Sequence, residues 1–270
     1  MPVPLSQRHM SAMSLKVYQL CPLRFKFRYI DNLLLALPGA GTEEDRKAIE
    51  RGEHFHLMAR RYYAGLDPAT VADPVEQEQL DHWMGLLQSF LPRTFDRTFY
   101  PELELRLNRP DLRLMAKFDL VAVDPDGRAT IFDWKTERKM PRRKYLLNSP
   151  QTVVYRYMLC AAGGAYSPQG RFKPEQVSMV YWNPLYPHRW ERLEYSESQY
   201  RLDEEYLQRQ VALILSTPAD RFLATPDRSV CARCEYQMLC HGRRTEELEV
   251  EEQEWLHGEE LTWEKLPDLP

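Results

Sequence analysis

A mixed α/β fold, with a central sheet flanked by helices, is what this sequence predicts, and three observations predict it. Helical patterning fills the first third of the chain. Near residue 103 it gives way to strict alternation, with Leu103, Leu105 and Leu107 set against Glu102, Glu104 and Arg106. That is the period of a half-buried strand. Strand and helix patterns then alternate through Leu215, as in an α/β layer architecture.

The elements follow in order. Ser14 to Asp31 reads as a helix with mixed apolar and basic faces, interrupted at Cys21-Pro22 because proline lacks the N–H that a helix interior needs. Leu37 to Thr42, rich in Pro and Gly, breaks the chain. Glu43 to Gly65 is predicted as a long amphipathic helix closed by its glycine, and Pro74 to Leu91 as another. Three strands are expected next: the Leu103 run, Leu114 to Val123, and Thr130 to Trp134. Asn108 to Leu112 and Asp124-Pro125-Asp126-Gly127 supply the turns of this meander. A helix from Pro150 to Cys160, paired strands Gln176–Trp182 and Arg189–Tyr195, and a helix from Ser198 to Leu215 complete the series.

Composition bounds the rest. The 270 residues suffice for one sizeable domain, expected over residues 1–244, with an acidic C-terminal tail at 245–270. That tail holds ten acids and one lysine; set against a net charge of −4 for the chain, this leaves residues 1–244 mildly basic at +5. A modest positive balance suits a polyanion without requiring one. No run approaches the roughly 18 apolar residues of a membrane span, and Met1 to Met10 lacks the apolar core of a signal peptide. A cytoplasmic location is therefore expected.

The chemistry concentrates at the ends of the meander. Asp119 lies in Lys117-Phe118-Asp119-Leu120, and Asp133-Trp134-Lys135 ends the third strand. Strands joined by the Asp124–Gly127 hairpin would bring the two aspartates together, and i, i+2 spacing points Asp133 and Lys135 the same way. Crowded carboxylates call for a cation. With Mg²⁺ or Mn²⁺ they could hydrolyse a phosphodiester, the lysine orienting the water. Taken alone, a D-x-K triplet equally fits a surface hairpin with ordinary ion pairs.

Two further patterns narrow the choice. Gly52-Glu53-His54-Phe55-His56 is a G-x-x-x-H on a predicted helix, and Gln151-Thr152-Val153-Val154-Tyr155 is a Q-x-x-x-Y whose ends share a helix face. In the order His, Asp, D-x-K, Q-x-x-x-Y, the chain resembles the RecB-like PD-(D/E)XK nucleases. That group includes the RecB nuclease domain, CRISPR-associated exonucleases and helicase–nuclease subunits. The resemblance implies a restriction-endonuclease-like core and a metal held by His56, Asp119, Asp133 and the Trp134 carbonyl. It further implies that Lys135 positions the attacking water, with Gln151 and Tyr155 in support. The sequence departs from the family at Ala116, where glycine is frequent, and His54 competes with His56. An upstream acid often assists in relatives, and both Glu102 and Glu104 qualify.

Five cysteines include Cys231-x-x-Cys234 and Cys240, three thiols in need of a fourth, and Cys21 is the natural candidate. The family's iron–sulfur branch shows this layout, which implies a [4Fe–4S] cluster on Cys21, Cys231, Cys234 and Cys240 that joins the chain's ends. Zinc is the alternative, although zinc ribbons usually offer two C-x-x-C knuckles. Cys160 is expected as a free, buried thiol.

Arg138, Lys139, Arg142, Arg143 and Lys144 follow the D-W-K strand and are expected to hold a DNA backbone, with Tyr145 or Trp134 stacking on bases and Arg24, Lys26 and Arg28 extending the track. No P-loop occurs, so any helicase, CRISPR or repair partner would be a separate protein. The leading expectation is a nuclease acting on single-stranded DNA or DNA ends. A non-catalytic nucleic-acid-binding subunit and a zinc-stapled interaction protein are the competing readings. The tail could solubilise, bind a partner, or mimic DNA over the basic groove.

Overall fold

A computed structural model describes residues 4–33, 35, 43–231 and 234–241; the expected break at Leu37–Thr42 and the acidic tail from Thr245 lie outside the described residues. Ser11 opens the first helix, α1 (Ala12–Leu20), in a reciprocal cap. Its hydroxyl accepts the Ser14 N–H at 3.1 Å while the Ser14 hydroxyl accepts the Ser11 N–H at 2.8 Å. Cys21 stands in extended conformation, and Pro22 begins α2 (Pro22–Phe25), which runs into a π-helical turn at Lys26–Ile30. The interruption therefore falls where the proline requires it. Helix α3 (Glu43–Ala64) is followed by Gly65 at φ 70°, a conformation that costs glycine little. Asp73 caps α4 (Pro74–Phe90).

The strands are β1 (Thr98–Pro101), β2 (Glu104–Asn108), β3 (Arg113–Lys117), β4 (Leu120–Val123), β5 (Ala129–Trp134), β6 (Val177–Trp182) and β7 (Glu191–Glu194). Among the described residues the central sheet has the order β1-β4-β5-β6-β7, antiparallel except for the parallel β5/β6 pair. Between β5 and β6 the chain passes through α5 (Arg143–Leu147) and α6 (Pro150–Ala162), the kind of crossover that parallel pairing needs. Helix α7 (Glu197–Ser216) follows, then the short α8 (Arg228–Cys231) and α9 (Gln237–His241).

Two cores cover the sheet. On one side Phe55, Trp83 and Leu87 of α3 and α4 meet Phe132, Trp134 and Trp182. On the other, α1, α6 and α7 bury Leu15, Tyr157 and Leu207 with Ile131, Met179 and Tyr181. Every residue of β4, β5 and β6 is buried, which is why those strands do not alternate.

The expected meander is corrected in three ways. Leu114–Val123 is two strands rather than one, broken at Phe118-Asp119. Strands β2 and β3 form a separate two-stranded sheet, with Met10 bridging to Leu114 on the outer side of β3. Strand β1, which the sequence analysis did not anticipate, takes the edge beside β4. The Asp124–Gly127 turn is present: the Asp124 N–H donates to the Arg128 carbonyl at 2.8 Å, and Gly127 sits at φ 84°.

Candidate active site

The break between β3 and β4 is what turns Asp119 into the site. Here the chain leaves the small sheet for the central one, opposite a second change of direction at Glu102. The N–H of Glu102 donates to the Asp119 carbonyl at 3.0 Å and that of Phe118 to the Leu103 carbonyl at 2.9 Å. Glu102 adopts φ 53°, a left-handed conformation that non-glycine residues seldom take, so this crossing is held under local strain.

From there a chain of polar contacts runs through the site. Asp119 Oδ2 accepts the Trp134 N–H at 2.8 Å, and Oδ1 lies 3.3 Å from His56 Nδ1 on α3. One residue along, Asp133 Oδ2 faces Lys135 Nζ at 2.9 Å. Gln151, in the first turn of α6, bridges that pair. Its Nε2 donates to Asp133 Oδ1 at 2.7 Å, and its Oε1 accepts from Lys135 Nζ at 3.1 Å. Both Asp133 and Lys135 are buried, and the lysine ammonium also lies 5.6 Å from the centre of the Tyr181 ring.

Burial works against charge on His56 and Asp119 alike, but their mutual attraction outweighs it. His56 is pushed up to about 9, Asp119 being the main attractive cause, with Asp133 adding to it, while Asp119 is held below the usual carboxylate range. Among the described residues, no three His, Cys, Asp or Glu side chains are arranged as a metal-holding group. The acids turn instead to the chain's own donors. The donor types, two carboxylates with an imidazole and a backbone carbonyl at hand, do suit Mg²⁺ or Mn²⁺.

Of the two candidate acids, Glu102 lines the same cleft as His56 and is ion-paired with Lys117, whereas Glu104 is exposed and paired with Arg106 at 2.7 Å. His54 points away and meets Glu76 at 2.9 Å, as the helix geometry predicts. Tyr155 is half-buried one turn along α6 from Gln151. Its hydroxyl donates to the Lys117 carbonyl at 2.6 Å, and burial raises its pKa.

One expected nucleic-acid contact is corrected. Trp134 is buried against Tyr63, Phe132 and Trp182 and cannot stack on a base. Arg138 is tied to Glu44 at 2.8 Å, and Arg143 to Glu191 and the Arg192 carbonyl. Arg24 and Arg28 both face the buried Glu235, at 2.7 and 3.4 Å, and Lys26 faces Asp31. Arg142 and Lys144 are exposed, and Lys139 is exposed beside them.

Cys21, Cys231, Cys234 and Cys240 line one small cleft together with Arg24, Thr225 and His241. The sulfur of Cys21 accepts the N–H of Arg24 at 3.4 Å and of Thr225 at 3.5 Å, the kind of hydrogen bonding that stabilises a thiolate. Burial raises the thiols of Cys231 and Cys240 and pushes Cys234 up to about 11, with neighbouring thiols adding to each rise. The four therefore share a cleft, and burial favours the protonated forms of Cys231, Cys234 and Cys240. Cys160 is free but only half-buried, with its thiol pushed up to about 12 by burial. Glu235 was not legible beforehand; its only signal is adjacency to Cys234 and the i, i+4 spacing of Arg24 and Arg28.

Comparison with known proteins gives three findings. A family model described as the PD-(D/E)XK nuclease superfamily matches residues 9–241. A crystal structure of a presumed exonuclease from Eubacterium rectale is similar at a TM-score of 0.51 and 10% identity, covering 90% of each chain. The crystal structure of SSO0001 aligns at a TM-score of 0.41 and 15% identity, covering 88% of each chain. No curated protein matches significantly.

Proposed function

From the premise that the chain belongs to the PD-(D/E)XK nuclease superfamily, we propose that it is a Mg²⁺- or Mn²⁺-dependent deoxyribonuclease acting on single-stranded DNA or DNA ends. The observation that carries this reading is the unbroken line of contacts from His56 through Asp119 to Trp134, and from Asp133 through Lys135 to Gln151. In this reading His56, Asp119, Asp133 and the Trp134 carbonyl hold the ion. When bound, the ion supplies positive charge to the scissile phosphate and makes water acidic enough to attack near neutral pH. Lys135 orients that water, and Gln151 holds the lysine and Asp133 in register. Tyr155 acts at one remove, fixing the Lys117 strand end beside Asp119. Arg142 and Lys144, with Arg138, Lys139 and Arg143 behind them, attract the backbone.

The same reading assigns a [4Fe–4S] cluster to Cys21, Cys231, Cys234 and Cys240, supported by their common cleft and the backbone donors on the Cys21 sulfur. Its part is to close the long loop between the chain's ends. Any helicase, CRISPR or repair partner is a separate protein. The non-catalytic alternative has no observation in its favour, since every expected catalytic side chain is present.

The test is anaerobic purification followed by cleavage of labelled single- and double-stranded DNA with Mg²⁺ or Mn²⁺. Metal-dependent cleavage that Asp119→Asn abolishes, with about four irons per chain, supports both assignments. Zinc in place of iron removes the cluster, and metal-independent or absent cleavage removes the nuclease.

A further inference from the structure

Beside the catalytic side chains lies a cleft of about 540 Å³ that the chemistry above does not use. One wall is a single face of α3, carrying Ile49, Gly52, His56, Leu57 and Arg60; the other is the segment Thr136–Arg138, with Glu102 between. Three features of the cleft bear on what it takes. Its size lies in the range of small-ligand sites, roughly 300–1,000 Å³. Ile49 and Leu57 are 44% and 43% exposed, large apolar side chains presented at its mouth on either side of His56. And its charged wall residues are of both signs, Glu53, Glu102 and Glu137 against Arg60, Arg138 and His56, so the walls carry no marked excess of either charge.

Apolar walls beside a phosphodiester site suit the flat face of a base. Glu137 adds a specific demand. Its Oε2 is covered and has no hydrogen-bond partner among the described residues, so a donor in the cleft would meet it once the side chain turns outward. A buried carboxylate oxygen without a donor is costly, and an exocyclic amino group of adenine, cytosine or guanine is such a donor. Gly52 sets the width. A Cβ there would come within 2.8 Å of Thr136 Oγ1, so only glycine lets α3 approach this closely. His56 belongs both to this wall and to the catalytic contacts, so a nucleotide adjoining the scissile phosphate would meet the cleft directly.

We infer that this cleft is a nucleobase pocket: it takes the unstacked base next to the cut phosphate, favours an amino-bearing base through Glu137, and so restricts cleavage to unpaired strand. The inference rests on the nuclease reading above and names the form of its substrate. A paired base cannot enter, because its Watson–Crick edge and both faces are occupied in the duplex.

The experiment uses the wild-type protein and a 5′-labelled single strand carrying one abasic site. The bond at one fixed offset from the abasic site should be cut about tenfold more slowly, the scale of one lost base contact. All other bonds in the ladder should be unaffected. Thymine at that offset should also be cut more slowly than cytosine or adenine, and Glu137→Gln, whose amide can donate, should reduce or reverse that preference. Leu57→Asp, a surface substitution, should slow cleavage of the intact strand and abolish the abasic effect. A uniform ladder from a strand that is otherwise cleaved overturns the pocket while leaving the nuclease standing. No cleavage of any DNA overturns both.

Discussion

The carboxylate site and the cysteine cleft are both assembled from parts of the chain far apart in sequence, but they are held by opposite means. Around Asp119 and Asp133 the chain supplies its own counter-charges, His56 from α3 and Lys135 from just past the end of β5. The four cysteines supply only like groups, and burial favours the protonated forms of Cys231, Cys234 and Cys240. What aligns them is external: the Arg24 and Arg28 contacts to Glu235, and the backbone donors on Cys21. The first site is organised before any ion arrives. The second depends on its scaffold and on what it binds.

The largest expected effect breaks the first site. Asp133→Ala should lower cleavage by on the order of 10³-fold, as expected when a preorganised charge is removed. It should also destabilise the protein by about 3–5 kcal/mol, because the buried ammonium of Lys135 loses its carboxylate. Asp133→Asn should lose cleavage with a smaller fall in melting temperature, which the paired rate and melting measurements would show. Equal melting of the two variants would mean that the pair contributes little to stability.

Next comes the cysteine cleft. Cys21→Ser should lose its iron, whereas Cys160→Ser should keep it. Glu235→Gln should lower the melting temperature of the iron-free protein, since the Arg24 and Arg28 contacts do not require a cluster. An unchanged melting curve would remove Glu235 as the scaffold.

A smaller effect follows from His56. Its pKa in the metal-free fold is about 9, above the roughly 6.5 of an unfolded histidine. A raised value stabilises the fold fully below that lower pH and loses the contribution as pH rises toward 9. The melting temperature of metal-free protein should therefore decline across that window. Mn²⁺ binding should tighten over the same window, because the ion replaces the proton. His56→Gln should flatten both slopes.

The smallest effect concerns the exposed cations. Arg142→Glu with Lys144→Glu should weaken binding to all DNA sequences alike and flatten its salt dependence, whereas Arg143→Glu should do less, because Arg143 already faces Glu191. An unchanged salt slope would take this segment out of the DNA path.

Much of the catalytic centre was legible because its residues lie at fixed offsets on regular elements. The Asp124–Gly127 turn ensured that β4 and β5 are neighbours, and i, i+2 spacing put Lys135 beside Asp133. The break at Asp119 was not legible. Leu114 to Val123 holds neither Gly nor Pro, and the interruption comes from contacts of Asp119 with Glu102 and of Phe118 with Leu103, seventeen and fifteen residues earlier. Trp134 misled for a related reason. In a strand covered on both faces, an aromatic beside a catalytic acid belongs to the core. The basic residues were read by sign alone, and sequence cannot say which cations already face an acid in the fold.

The join between α2 and the last cysteines has a consequence for synthesis. A ribosome adding about 5–20 residues per second reaches Cys231 roughly 10–40 s after Cys21. Through that interval Arg24 and Arg28 have no Glu235 to meet, and Cys21 waits without the three thiols that share its cleft. The sheet can form first, since β1 through β7 all precede the last cysteines. The chain can therefore complete its nuclease core before Cys231, Cys234 and Cys240 come to join Cys21.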